Sequence, residues 1–385
     1  MRIGFFSARS RSMSIDQHHA SRQAALLWLA RVTTACTALI AASCAPHTGH
    51  SERFTNNNDG SVELTFLNNP PPGEARRESP SLFVSVGGVR MQAVMDTGST
   101  GVVISATALP ENATVRDLGP AELTYSSSGR IMIGRWVLTR VTVTGAHGHQ
   151  FISSPIPVLA VTHIACQPTA RSCTPSDHPR HVAMLGIGFA REGDHQQQSG
   201  PSHNPFLNPS PGMVGDTGTP GYVITFRSVR IGLPSGGEMT LAKRGFSLVR
   251  LPHSNIEGEW GPIPACIGVA SHSPACGGTL LMDTGVTRMF ATVPVSWLSD
   301  LSRNGEELAT GTPVTITAGD SAAQYSFITG DPGLMTPSAV ILVEGRTDGH
   351  EQRPIFVNTG VHFLNGYDYL YDAANGWAGF RPHRR

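Results

Sequence analysis

Charge is scarce in this sequence. Asp, Glu, Lys and Arg make up 15% of its 385 residues, and 28 basic residues cancel 28 acidic ones to a formal net charge of zero. That balance argues against a nucleic-acid binder that relies on bulk positive charge. Long apolar runs are missing too: the uninterrupted stretch after Arg31 is too short to span a bilayer. The chain carries no HExxH, no GxSxG and no glycine-rich phosphate cradle. Their absence disfavours a zinc hydrolase of that type, a serine hydrolase built on a nucleophile elbow, and a nucleotide enzyme. Six cysteines are few for such a length.

What the chain does have is 42 Gly and 28 Pro. With so little charge, that composition points to many turns and a β-rich fold, and the length suits two or so domains. The amino-terminal end reads as a targeting segment. Arg2, Arg9, Arg11, Arg22 and Arg31 precede or interrupt apolar stretches that end in ARVTTACTALIAASC at residues 30–44. Residues 1–43 are therefore expected to be a signal peptide. The ending IAASC resembles a bacterial lipobox with Cys44 as the lipidated first residue, although Ala41 stands where Leu is usual. The alternative is ordinary signal cleavage nearby. Without residues 1–43, which hold five Arg and one Asp, 23 basic residues face 27 acidic ones. Beyond Cys36 and Cys44, the four remaining cysteines fall into two local pairs, Cys166 with Cys173 and Cys266 with Cys276. Two short disulfide loops in an oxidising compartment are the simplest connectivity; a four-cysteine metal site is the alternative, although neither pair has the tight CxxC spacing.

Residues 44–60 are polar and aperiodic, as in a flexible tether. SVELTFL (61–67) alternates like a strand. SLFVSVGGVRMQAVMDTGSTGVVIS (81–105) reads as strand, Gly-Gly turn, strand, loop, strand. LTYSSSGRIMIGRWVLTRVTVTG (123–145) reads as a hairpin and a further strand, and 191–220 as a loop containing the junction of two lobes or an insertion. YVITFRSVRIGL, GEMTLAKRGFSLVRLP and GGTLLMDTGVTRMFATVP read as strands, and VPVSWLSDLSRNGEE (293–307) as the one short helix. The expected organisation is two β-rich lobes, 61–220 and 221–385.

Each lobe carries the same tripeptide behind an apolar strand: MDTGST at 95–100 and MDTGVT at 282–287. The strands QAVM and TLLM carry Asp96 and Asp283 inward. Gly98 and Gly285 permit a turn that a side chain would block, and Thr97 and Thr284 can hydrogen-bond across to the other lobe. Two such loops facing each other would bring two carboxylates close enough to share one proton. One could then act as base on a water while the other polarises a carbonyl, which is acid–base hydrolysis with no metal, cofactor or covalent intermediate. Two further motifs read differently. GDTGTP (215–220) lacks the apolar lead and makes Asp216 a loop residue, and His147 and His149 read as exposed loop histidines without further ligands nearby.

These stretches resemble the pepsin-like aspartic proteases over most of the chain beyond the leader. SLFVSVGGVRMQAVMDTGST (81–100) is similar to that family's opening and first catalytic loop. TYSSSGRIMIG (124–134) resembles its flap hairpin, which implies Tyr125 as the tyrosine over the substrate. AMLGIGFA (183–190) is similar to the apolar-apolar-Gly segment beside the first loop. Cys276, shortly before the second DTG, resembles the small disulfide found there, and YDYLYDAANGWAGFRP (367–382) resembles the carboxy-terminal strands. The resemblance implies an all-β bilobal fold with a cleft between the lobes and Asp96 and Asp283 as the catalytic pair, with Ser99 orienting the first. It further implies an endopeptidase acting on polypeptides as a monomer without cofactor; the leader and Cys44 add the expectation that the chain is exported and lipid-anchored facing the periplasm. The pattern is broken at Val286, where Ser or Thr follows the second DTG in the family, at Val103, where the family has Trp, and at Asn358-Thr359, which replaces an apolar pair before Gly360. Val286 and Asn358 favour the alternative, a non-catalytic peptide- or protein-binding chain on the same fold.

Overall fold

A computed structural model describes residues 59–110, 115–168, 170, 173–191, 200–215, 218–301, 307–343 and 354–383. The expected signal peptide, Cys44, all but the last two residues of the expected tether, and Asp216 lie outside the described residues. Among the described residues the chain is all-β, arranged in three sheets of nine, seven and six strands.

The nine-stranded sheet is built from residues 81–166 and 183–187. Its start follows the alternation in the sequence: Ser81–Val86 and Val89–Asp96 form an antiparallel hairpin, with Leu82, Val84 and Val86 in the core. Gly87 and Gly88 join the two strands with φ of +59° and +87°, the pair of left-handed values that a two-residue turn matched to strand twist demands. Thr100–Ser105 follows, and Ala183–Ile187 slots between it and Val89–Asp96, antiparallel to the first and parallel to the second. The hairpin Arg116–Tyr125 and Arg130–Thr139 lies at the other edge. Its second strand pairs with Ile156–Cys166 along its whole length, from Thr139 opposite Ile156 to Arg130 opposite Cys166.

The seven-stranded sheet repeats the same local plan. Ala275–Leu281 leads to Asp283, Met289–Thr292 follows, and Phe356–Asn358 slots between them, parallel to the first and antiparallel to the second. The symmetry that sequence identity fails to reveal beyond DTG is thus one of strand arrangement.

The six-stranded sheet joins the beginning of the described chain to its end. Val62–Thr65 pairs with Ser228–Leu233, which continues through Thr219–Ile224, Tyr367–Asp372 and Trp377–Pro382 to Ser247–Arg250. Tyr371 of this sheet stacks on Phe189, two residues past Ala183–Ile187, with ring centroids 4.0 Å apart. Arg76 packs at the end of the same six-stranded sheet. Its guanidinium is buried against the rings of Phe66 and Phe226, and its Nε and Nη2 donate to the Phe226 carbonyl at 3.1 and 2.8 Å.

One element differs from the sequence reading. Gly237–Lys243, expected as part of a strand, is a helix, and only Ser247–Arg250 of that stretch is extended. Glu, Met, Leu, Ala and Lys are strong helix formers, Glu238 and Lys243 sit at the ends that the helix dipole favours, and Leu241 alone needs burial, against Val223, Leu233, Phe246 and Leu370. The expected helix near 293–307 is present as Val295–Leu301; residues 302–306 lie outside the described residues.

Candidate active site

The two DTG loops interlock. Thr97 N–H donates to Thr284 Oγ1 at 3.1 Å, and Thr284 N–H donates to Thr97 Oγ1 at 2.9 Å. Each hydroxyl then donates across to the carbonyl before the other aspartate: Thr284 Oγ1 to Met95 O at 2.6 Å, and Thr97 Oγ1 to Met282 O. Both threonines are buried, so every donor in this exchange finds its acceptor in the other half.

That exchange brings the carboxylates together. A Cβ at Gly98 would lie 2.5 Å from Asp283 Cγ, and a Cβ at Gly285 would lie 2.5 Å from Asp96 Cγ. Each carboxylate therefore packs on the other loop's glycine, and any larger residue would drive it away. Asp96 and Asp283 are both 5% exposed. Within each loop the Gly amide caps its own aspartate, Gly98 N–H to Asp96 Oδ1 and Gly285 N–H to Asp283 Oδ1, both at 2.7 Å.

The second oxygens are held by different chemistry. Ser99 Oγ donates to Asp96 Oδ2 at 2.6 Å. Val286, at the matching position, has no hydroxyl, and Asn358 Nδ2 donates to Asp283 Oδ2 at 2.6 Å instead. Gly360 N–H donates to Asn358 Oδ1 at 3.0 Å, which fixes the orientation of the amide. Arg191 joins the site from below Gly98: it is buried, and its Nε donates to the Gly98 carbonyl at 2.8 Å.

Burial and the charge of Asp96 push the Asp283 carboxyl up to about 8, against the opposing pull of the Asn358 amide, the Arg191 guanidinium and the Gly285 N–H. The pair consequently holds a proton across the neutral range, the condition for one acid and one base in a single site. Tyr125, the last residue of its hairpin strand, is buried in a cluster with Val103, Trp136, Leu123, Met132 and Leu159. Burial, and then the charge of Asp96, push its phenol well above the usual tyrosine range, with the Ser99 hydroxyl as a smaller opposing influence. The hairpin tyrosine thus stands on the Asp96 side of the pair. Val103, where a Trp was expected, packs in the same cluster as Trp136.

Both expected cysteine pairs are bonded, Cys166 to Cys173 and Cys266 to Cys276, with Cα separations of 5.8 and 4.1 Å. The first ties down the end of the strand that borders the Tyr125 hairpin; the second bridges neighbouring strands just ahead of Asp283. His147 is exposed in a turn and His149 half-buried after it. The sequence reading missed Asn358 and Arg191 as parts of the site. For Asn358 the signal was present as an anomaly, a polar residue where an apolar one was expected. Arg191 opens a polar stretch, REGDHQQQ, and nothing in its neighbours distinguishes it from a solvated residue.

No family model matches the chain, and no curated protein matches it. Among solved structures it is similar to the aspartic proteinase from Irpex lacteus, at 14% identity and a TM-score of 0.50, with 84% of this chain and 97% of that one covered. At that identity the likeness shows the fold, which is the bilobal all-β fold of pepsin-like aspartic proteinases.

Proposed function

We propose that this chain is an aspartic endopeptidase. The observation that carries the reading is the reciprocal packing of Asp96 and Asp283, each carboxylate on the other loop's glycine. A water bound between two carboxylates that share one proton loses a proton to the ionised partner as its oxygen attacks the peptide carbonyl. The protonated partner gives its proton to the carbonyl oxygen, and the tetrahedral gem-diol forms without a covalent enzyme intermediate. Collapse of that species returns a proton from the hydrated carbon's hydroxyl through a carboxylate to the leaving nitrogen, which regenerates the one-proton pair. Ser99 and the threonine exchange hold the acids in register, and Tyr125 closes over the substrate from the hairpin. Asn358 supplies the donor whose absence at Val286 had favoured a non-catalytic binder.

The reading includes export. Two disulfides suit an oxidising compartment, and we place the chain in the periplasm as a monomer held to a membrane by lipid on Cys44, acting on polypeptides. Mass spectrometry of the membrane fraction reads that lipid directly; an unmodified Cys44 in the exported protein overturns the anchor. For the activity, the exported chain is incubated with a mixed peptide library from acid to neutral pH. Cleavage is expected, blocked by a hydroxyl-bearing transition-state mimic and abolished by Asp96→Asn or Asp283→Asn. Unchanged cleavage in either variant removes that aspartate from the mechanism, and no cleavage at any pH overturns the function.

A further inference from the structure

We infer that Asn358 is the positioning residue of Asp283, standing in for the hydroxyl that residue 286 lacks, and that as a group able only to donate it favours the ionised Asp283 carboxylate. The inference rests on the proposed hydrolytic pair and adds to it an asymmetry between the two acids. The two halves can be aligned at Gly186 and Gly360, where an added Cβ would meet the carbonyl of Gly101 or Arg288, each at 2.6 Å. Two residues before these glycines stand Met184 in one half and Asn358 in the other. Three residues after the aspartates stand Ser99 and Val286. A donor is thus missing from the loop after Asp283 and present on the strand beside it, and both routes reach an aspartate Oδ2 at 2.6 Å.

The two donors are not equivalent. A hydroxyl donates or accepts, so a proton on Asp96 Oδ2 can be met by turning Ser99. An amide nitrogen only donates. The Gly360 N–H holds the Asn358 carbonyl on the far side, and the side chain is buried, so the amide cannot flip. A proton on Asp283 Oδ2 directed at Nδ2 would set two hydrogens against each other. A proton on Asp283 therefore finds no acceptor in Asn358 Nδ2 at Oδ2 or in the Gly285 N–H at Oδ1, and both groups favour the ionised carboxylate. Val286 leaves no hydroxyl that could turn to accept such a proton.

The charged and titratable groups that act on Asp283 are Asp96 and Arg191, with Tyr125 acting on the Asp96 side. With these in place, Asn358→Ala removes a hydrogen bond to an ionised oxygen. The pH profile of kcat/KM is expected to move upward by about one pH unit, with kcat down about tenfold and KM little changed. Adding Val286→Thr to Asn358→Ala supplies a hydroxyl at the position Ser99 holds in the other half, and should bring the profile back. A wild-type profile in Asn358→Ala, or a shift that Val286→Thr leaves in place, overturns the inference. Should Asn358→Ala fail to fold, Val286→Thr alone gives Asp283 a second donor and should move the profile down; an unchanged profile overturns the inference. A wild type that cleaves nothing refutes the proposed function instead. Carbon-13 titration of the aspartate carboxyls then tests the inference separately, and an Asp283 curve that Asn358→Ala does not move to higher pH overturns it.

Discussion

Replacing Asp96 with Asn should make the folded protein more resistant to unfolding at slightly alkaline pH, although it removes activity. Burial and the Asp96 charge raise Asp283 from 3.8 to about 8. Between those values the folded chain holds a proton that the unfolded chain has released. The resulting stabilisation is whole below about pH 3.8 and is lost as pH climbs through about 8. At about 1.4 kcal/mol per unit, the loss amounts to roughly 6 kcal/mol at most. Burial is the larger cause and stays in the variant. The share that belongs to the Asp96 charge is then less than half, on the order of 2 kcal/mol. Asn at 96 keeps an oxygen for the Gly98 N–H, and the Ser99 hydroxyl can turn to accept from the new amide, so no buried donor is orphaned. Urea unfolding of wild type and Asp96→Asn at pH 4 and pH 9 measures the difference, and titrating groups other than these two aspartates cancel in the comparison. The variant should gain about 2 kcal/mol relative to wild type between the two pH values. An equal difference at both pH values, or a gain confined to pH 4, refutes the reasoning.

Asp283→Asn should not share this benefit. Its new amide must turn hydrogens toward either the Gly285 N–H or Asn358 Nδ2, both donors, at a cost of about 1–3 kcal/mol, read in the same urea series. Gly98→Ala places a methyl in the Asp283 carboxylate, so cleavage should be abolished while far-UV circular dichroism keeps its β signature; retained cleavage would contradict the packing. Thr97→Val and Thr284→Val each orphan buried groups in the other half, with an expected loss of about 1–3 kcal/mol apiece. A double-mutant cycle should show coupling above about 0.5 kcal/mol, and strict additivity would mean the loops do not depend on each other.

Much of this site could be read from the sequence because its signals are local. An apolar strand, an acid, a hydrogen-bonding residue and a glycine within five positions constrain one another, and two copies constrain the pairing. The Gly87-Gly88 turn and the two disulfides were legible for the same reason. The rest depended on groups far apart in the chain. Val286 read as a missing donor because the compensating one lies at Asn358, on a strand seventy-odd residues further along the chain. Arg191 is buried because Gly98 offers it a carbonyl, and nothing near residue 191 announces that partner. Gly237–Lys243 was misread as extended because one buried Leu241 gives no period to measure.

Val62–Thr65 has a consequence for anyone who would divide the chain near residue 220. Expressed alone, the later portion would offer Ser228–Leu233 as a bare edge, with main-chain groups open to any strand that came by, and the Phe226 carbonyl would lose its guanidinium donor. The earlier portion would keep the first aspartate and have nowhere to dock its leading strand. Fragments of this polypeptide should therefore aggregate or recombine with each other rather than persist as free-standing pieces.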